Sequence, residues 1–465
     1  PGSGRTITAE NGHAVTLSAI DNATIEANAA AGAVAFTASV AGLGVSVGAS
    51  IADNDIDNTV QTYISGAEVT GGSVELTSSS TSTIEALSVA VSISATISIA
   101  GLGLAGGGAS SKNTITNTIA AFVDDNSKVT ANGGAGDGAV AISAKDISKI
   151  YSDVGSGALA IGALGASVGV SIADNLISNT VNAYIGDAEV TSSNGDIQIT
   201  ASSSDVVDAL AVATSVALSP TGLAGAGANA DANITSGIAA YVSSGAVLDA
   251  GRDITIEAAS DSNATANVRG IAVGLVAVGA SVASANANGS ISAHMNGTVI
   301  QSRDLIIRAE AVHTADAEAF ALAGGVISGS GSDASAAASP TVRANIGDGV
   351  NPVSVVAGRD IAVISHSEGK AIADANGITV AGIGMGVSLA DAVVSPVIAT
   401  YVAPRVTLTA GNDISLISLH NFAADGQTPL AKGAHAEADS SGGSLLLSAA
   451  GSAGTAVGSA MVHTY

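Results

Sequence analysis

Asp53, Asn54, Asp55 and Asp57 crowd hard oxygen donors into one short stretch, and Asp174-Asn175, Asp231 and Asp391 stand at matching places further along the chain. Oxygen ligands of this kind at a turn suit Ca²⁺. The stretch matches neither the EF-hand loop nor the glycine- and aspartate-rich nonapeptide of calcium-binding β-rolls, and turn capping by an Asp-Asn pair uses the same residues. A calcium ion held by Asp53, Asp55 and Asp57 is therefore an expectation for the structure to meet, and no other cofactor is implied.

Catalytic chemistry finds less support. The pattern G-x-S-x-G occurs at residues 44–48 and 165–169, but a nucleophile elbow needs a strand, a sharp turn and a helix, and here alternating strand pattern continues through both copies. The seven histidines, His13, His294, His313, His366, His420, His435 and His463, share no register and do not pair at metal-ligand spacing on a helix. Gly222, Gly225 and Gly227 mimic a dinucleotide fingerprint on paper only, because no helix N-terminus follows to receive a phosphate. Sugar-cleaving β-helices grip acidic sugars with basic side chains and stack rings on aromatics; 14 Lys and Arg, six Tyr and four Phe over 465 residues are poor material for such a groove. No catalysis is expected.

Asn58, Asn117 and Asn179 carry a structural signal. In Ile177, Asn179, Val181, Ala183 and Ile185 the amide shares a strand face with aliphatics, and the same position later becomes Ser236 and Gly289. A buried amide is costly unless its donors and acceptors are paired. Stacking on its equivalents in neighbouring layers, or bonding into a turn backbone, would pair it. These three residues are read as a structural ladder rather than as ligand contacts.

The elements that must position these residues come from a repeat. Residues 163–185, ALGASVGVSIADNLISNTVNAYI, recur as recognisable copies at 41–64, 105–123 and 224–242, and more weakly at 279–295, 331–346 and 386–402. Register marks at Tyr63, Phe122, Tyr184, Tyr241, His294, Asn345, Tyr401 and Tyr465 lie 51 to 64 residues apart, which divides residues 1–465 into one continuous array of eight units, with a further mark due near Pro1. Such a period belongs to a solenoid, in which each unit buries its apolar face against its neighbours. Each unit has three sections: a short strand, a Gly-Asp turn and a strand (residues 188–201); an alternating Ala-rich section (204–218); and the opening stretch. Asp at that turn can bond its own downstream backbone. In residues 83–99 the apolar side chains recur two apart, so period two overrides a helical reading. The fold class is all-β, an elongated parallel β-helix or β-solenoid of about eight units. Each unit is either up to three turns of a narrow coil or one turn carrying a long extra hairpin.

Composition agrees with thin, regular layers. Hydrophobic residues make up 47% of the chain while aromatics are 2% and Gly reaches 57, so Ala, Val and Ile must fill the core. A mean hydropathy of +0.48 and 11% charged residues argue against disorder. A formal charge of −25 repels phosphate backbones and anionic membrane surfaces, so nucleic acid is set aside, and apolar runs such as residues 158–172 are broken by Gly and Ser and alternate with period two, so membrane insertion is not expected. There is no cysteine, which removes disulfide and thiolate chemistry and suits long secreted bacterial surface proteins. The chain opens on Pro1 without a charged and apolar leader, as expected of a piece of a longer or processed polypeptide.

The run S-V-G-V-S-I-A-D-N-x-I-x-N-T-V-x-A-Y-I, followed by V-T-x-x-x-G-D-I-x-I-T-A, resembles the repeats of giant bacterial surface proteins of the filamentous-haemagglutinin-like and large-adhesin type. The resemblance covers essentially the whole chain as a repeat pattern and carries no catalytic motif. It implies an extracellular, cell-surface β-solenoid acting as stalk, fibre or adhesin segment. The expected partners are more of the same, either the rest of a long chain or another copy end to end. The alternative expectation is a calcium-stiffened adhesin that meets a glycan or a host protein through the irregular residues 421–441.

Overall fold

A computed structural model describes residues 4–134, 138–423 and 425–465; Pro1, where a further mark was due, and Ala424, inside the irregular stretch 421–441, lie outside them. Thirty strands and no helix occur among the described residues. They form three sheets, two of eight strands and one of fourteen, and every ladder between named strands is parallel.

The third unit shows how sequence becomes architecture. Its short strand Ser127–Ala131 enters the first small sheet, the long strand Val140–Ile161 runs outward in the large sheet, Leu164–Ile177 returns, and Thr180–Ile185 joins the second small sheet. Each strand bonds to its equivalents in the units before and after: Val140 faces Val74 and Ile197, and Tyr184 faces Phe122 and Tyr241. Period-two alternation then sends every second side chain inward. The large sheet climbs the outward strands to the 34-residue strand Leu305–Ala338, which spans both legs of the sixth unit, and descends the return strands.

Two separate cores result. In the first, three walls meet around large aliphatics, as with Val190 from a short strand, Ile197 and Ile199 from the base of a long strand, and Val181 and Ile185 from the second small sheet. In the second, the outward and return legs face each other across alanine: Val207, Ala209, Ala211 and Ala213 oppose Ala226, Ala228, Ala230 and Ala232. The outward and return legs of a unit are thus two facing layers of one large parallel sheet, not the hydrogen-bonded extra hairpin that the sequence left open. The two legs form no backbone ladder with each other, because their N–H and C=O groups are already spent on neighbouring units; serine hydroxyls link them in places, and alanine on both inner faces lets the two layers close. Eight strands at about 4.8 Å stack to roughly 38 Å, whereas 22 extended residues span about 70 Å. The eight units therefore make a slab wider than it is tall.

Candidate functional site

A polar seam separates the two cores, and it is built at the corner where the return leg meets the second small sheet. Return strands end at Ile56, Ile115, Ile177 and Ile234, and short strands begin at Thr59, Thr118, Thr180 and Gly237. Between them stand Asn58, Asn117, Asn179 and Ser236, so the amides occupy a corner and not the middle of a strand. The Asn58 N–H donates to Asn117 Oδ1 (3.0 Å), the Asn117 N–H to Asn179 Oδ1 (2.7 Å), and the Asn179 N–H to Ser236 Oγ (3.2 Å). The side-chain N–H groups reach across the neck to the outward strand, from Asn58 to Asp21 Oδ2 (2.8 Å), Asn117 to Ser82 Oγ (2.8 Å), and Asn179 to Asp146 Oδ2 (2.7 Å) and Ser148 Oγ (2.8 Å). Turn-backbone bonding, not amide stacking, satisfies this row.

The seam holds two carboxyl groups away from water. Asp205 is fully buried, its Oδ1 accepting from Ser203 (2.9 Å) and its Oδ2 from Ser236 (2.6 Å). Burial, reinforced by the charge of Asp146, pushes the Asp205 carboxyl far up. Burial also raises Asp146, against the opposing pull of its bonds from Ser148 and Asn179. Asp146 Oδ1 is buried without a partner of its own, and the two carboxyls lie within mutual hydrogen-bonding reach, so a proton kept on Asp205 has an acceptor waiting. In the row of Asp205 two units further on, His313 is buried with Nδ1 donating to the Ala287 carbonyl (3.0 Å) and Nε2 accepting from Ser260 Oγ (3.1 Å); burial lowers its pKa to about 4, so the ring is neutral. Asp146, Asp205 and His313 are buried among these bonds, whereas at the first unit Asp21 and Asn58 line an open pocket of about 420 Å³. The seam is suited to holding the neck together rather than to meeting a substrate.

The other sequence candidates are separated by the pleat. Asp53, Asp55 and Asp57 occupy alternate exposed positions, and no three of their ligand atoms come together. The cause is spacing: same-face residues two apart on a strand lie about 7 Å from each other. Asp53 and Asp174 instead stand opposite Lys112 on the neighbouring strands. Asn54 and Asn175, which the sequence grouped with the acids, turn inward: Asn54 Nδ2 donates to Asn113 Oδ1 (2.7 Å), and Asn113 Nδ2 to Asn175 Oδ1 (2.7 Å). This is the amide-on-amide ladder, two strand positions from the corner. Ser46 and Ser167 of the G-x-S-x-G copies are buried, sharing hydrogen bonds with Ser92 (2.6 Å) and Ser215 (2.7 Å) inside the second core.

The Gly-Asp turns bond differently from the local turn expected. Asp196, Asp304 and Asp360 accept the backbone N–H of Asp253 (3.0 Å), Asp360 (3.1 Å) and Asp413 (3.1 Å), one unit further on. Arg303 and Arg359 fork onto Asp253 and Asp304, so charge as well as backbone ties unit to unit. The register marks form a ring stack, Tyr63, Phe122, Tyr184, Tyr241 and His294, with centroids 4.8 to 5.1 Å apart. Stacking consumes the ring faces that a bound sugar would need.

Two further features escaped sequence reasoning. Asp374, His435 and Glu437 bring ligand atoms within 4.8 Å of one another on the outer face of the last two units, a donor set suited to a divalent transition metal. His-x-Glu spacing was visible, but only the register Asp374 to Glu437 completes the group. An apolar groove of about 1210 Å³ runs along the tips of the extensions, lined by residues including Leu218, Val273, Val326, Val380 and Leu445, with no titratable group in its wall. The irregular stretch 421–441 interrupts the outward leg of the eighth unit: an antiparallel bridge joins Phe422 to Pro429, Asp425 caps the N–H groups of Gln427 and Thr428, and strand resumes at Ala434. No protein-family model, curated protein or solved structure matches the chain.

Proposed function

We propose that the chain is a parallel β-solenoid segment of an extracellular bacterial surface protein, structural or adhesive in role, that works by stacking unit on unit. One observation carries this reading. Backbone ladders, side-chain ladders and Arg-Asp forks all run in the same direction, from each unit to the next, across all three sheets. Such a design spends its polar chemistry on axial cohesion, and length becomes extendable by addition. The inner face of Val15–Ala38 is only half-buried and so are alternate residues of 434–440, while residues 445–458 are exposed on both faces, where the inner faces of inner units are buried. In this reading further units of the same kind cover them, from a longer chain or from another copy end to end.

Electron microscopy of the purified chain tests the proposal. The expected particles lengthen along the stacking axis, with about 4.8 Å axial spacing in their diffraction. Single slabs of 44.1 kDa at every concentration would exclude end-to-end assembly by this chain.

A further inference from the structure

The outer face of the return legs carries a pattern with a period of two units. At one position the first, third, fifth and seventh units present Val47, Val168, Val278 and Met385, while the units between present Gly106, Gly225, Gly329 and Ala449. Two residues on, Ala49, Val170, Ala280 and Val387 alternate with Gly108, Gly227, Gly331 and Gly451. Two further on, Ile51, Ile172, Val282 and Leu389 alternate with Ser110, Asn229, Asp333 and Ala453. The large side chains are exposed, Val47 by 69%, Ile51 by 75% and Met385 by 66%. With strands about 4.8 Å apart, aliphatic ridges follow one another at roughly 9.6 Å, with a bare-backbone groove between each pair.

Nothing inside the molecule asks for those glycines. None has positive φ. A Cβ at Gly108, Gly227, Gly331 or Gly451 would meet no atom within 4 Å, and one at Gly106 or Gly225 would only touch a methyl of Val47 at 3.8 Å or of Val168 at 4.0 Å. Glycine weakens a strand, and where its own fold does not need it, it marks close approach by another backbone or ligand.

We infer that this face packs against the same face of a second copy, ridges of one seated in grooves of the other. A partner filling every groove must repeat at the same pitch of about two strands, and this chain carries that pitch itself. A two-fold axis along the strands, between an odd and an even unit, sets each ridge opposite a groove; between the fourth and fifth units it puts Val278 over Gly225 of the partner copy. The five strand residues that these rows span, across eight strands, cover on the order of 600 Å² per copy, at the lower end of specific interfaces. Asp333 is the one charge among the residues of these three rows, so two copies of net charge −25 would bring a single carboxylate each into the contact. Dry interdigitation of facing sheets is the packing this produces.

The inference stands on register and glycine placement, independent of end-to-end growth. Sedimentation equilibrium of the full chain beside the triple variant Gly108→Val/Gly227→Val/Gly331→Val tests it. Valine suits an exposed strand, so the variant should melt no lower than the parent while its lateral association weakens at least tenfold. Should the triple variant misfold, Val168→Ser/Val278→Ser removes ridges instead and should weaken association likewise. Axial fibres that persist in the glycine-filled variant leave end-to-end stacking intact; side-by-side pairs that persist in it, or a parent chain showing no side-by-side pairs in solution, overturn the inference.

Discussion

At the scale of single residues, the corner amide and the buried acid pair decide how the neck holds. Asn179 accepts from the Asn117 backbone and donates to Asp146 and Ser148. Asn179→Ala strands a buried backbone donor and removes a donor from a buried carboxyl, and should cost about 2–4 kcal/mol of unfolding free energy. Asn179→Ser, which imitates Ser236 one unit on, keeps an acceptor and should cost less than half of that; equal losses in chemical denaturation would refute the ladder role. For the acids, the folded Asp205 carboxyl is raised to about 7 from the ordinary 3.8. A raised folded pKa means that its stabilising contribution is complete below the unfolded value and drains away as pH rises through about 7. Unfolding free energy of the parent should therefore fall relative to Asp205→Asn between roughly pH 4 and 7, at up to about 1.4 kcal/mol per pH unit in the middle of that window, and level off above it. His313, lowered to about 4, acts with the opposite sign, removing stability as pH falls from its ordinary 6.5 toward 4, but both proteins carry it and it cancels in the difference. Parallel pH profiles for the two proteins would disprove the buried proton.

At the scale of elements, the strands and their turns were legible because each obeys a local rule. Period-two alternation in residues 83–99 is the strand Val74–Ile97, and the Gly-Asp pairs are the turns between a short and a long strand. What alternation could not show is the wall that an inward side chain meets. Ala211 would read the same facing the far wall of a closed coil as it does facing the return leg of its own unit, so the extension waited for the structure. The acidic stretch is spread out for the same reason: a linear cluster such as Asp53, Asn54, Asp55 and Asp57 is divided by the pleat into exposed acids and a buried amide. Register was the missing quantity in every other case. Asp146 and Asp205 become partners only when Asp146 is aligned with Ser203, and the polar residues Ser80, Asp146 and Ser203 at one offset in consecutive units were the signal that would have found the seam. The aligned copies SVGASI, AGGGAS, SVGVSI and AGAGAN likewise already carried the alternation of valine and glycine.

At the scale of the whole molecule, two symmetries are superposed: a backbone that repeats every unit and an outer face that repeats every second unit. Excising residues can separate them. Val123, Ile185 and Val242 are equivalent positions in consecutive units, so removing residues 124–185 deletes one unit in register and removing 124–242 deletes two. Backbone ladders should re-form in both cases, with stability falling in proportion to the units lost, as in other one-dimensional arrays. The faces should not behave alike. Loss of one unit sets Gly106 and Gly108 beside Gly225 and Gly227, which makes one double-width groove and puts the ridges on its two sides out of phase. Loss of two units sets the same glycines beside Val278 and Ala280 and preserves the alternation. The two-unit deletion, although shorter, should then pair side by side more tightly than the one-unit deletion at equal concentration in sedimentation. An order of affinity that simply follows the number of units retained would show that area, and not the fit of ridge to groove, governs lateral assembly.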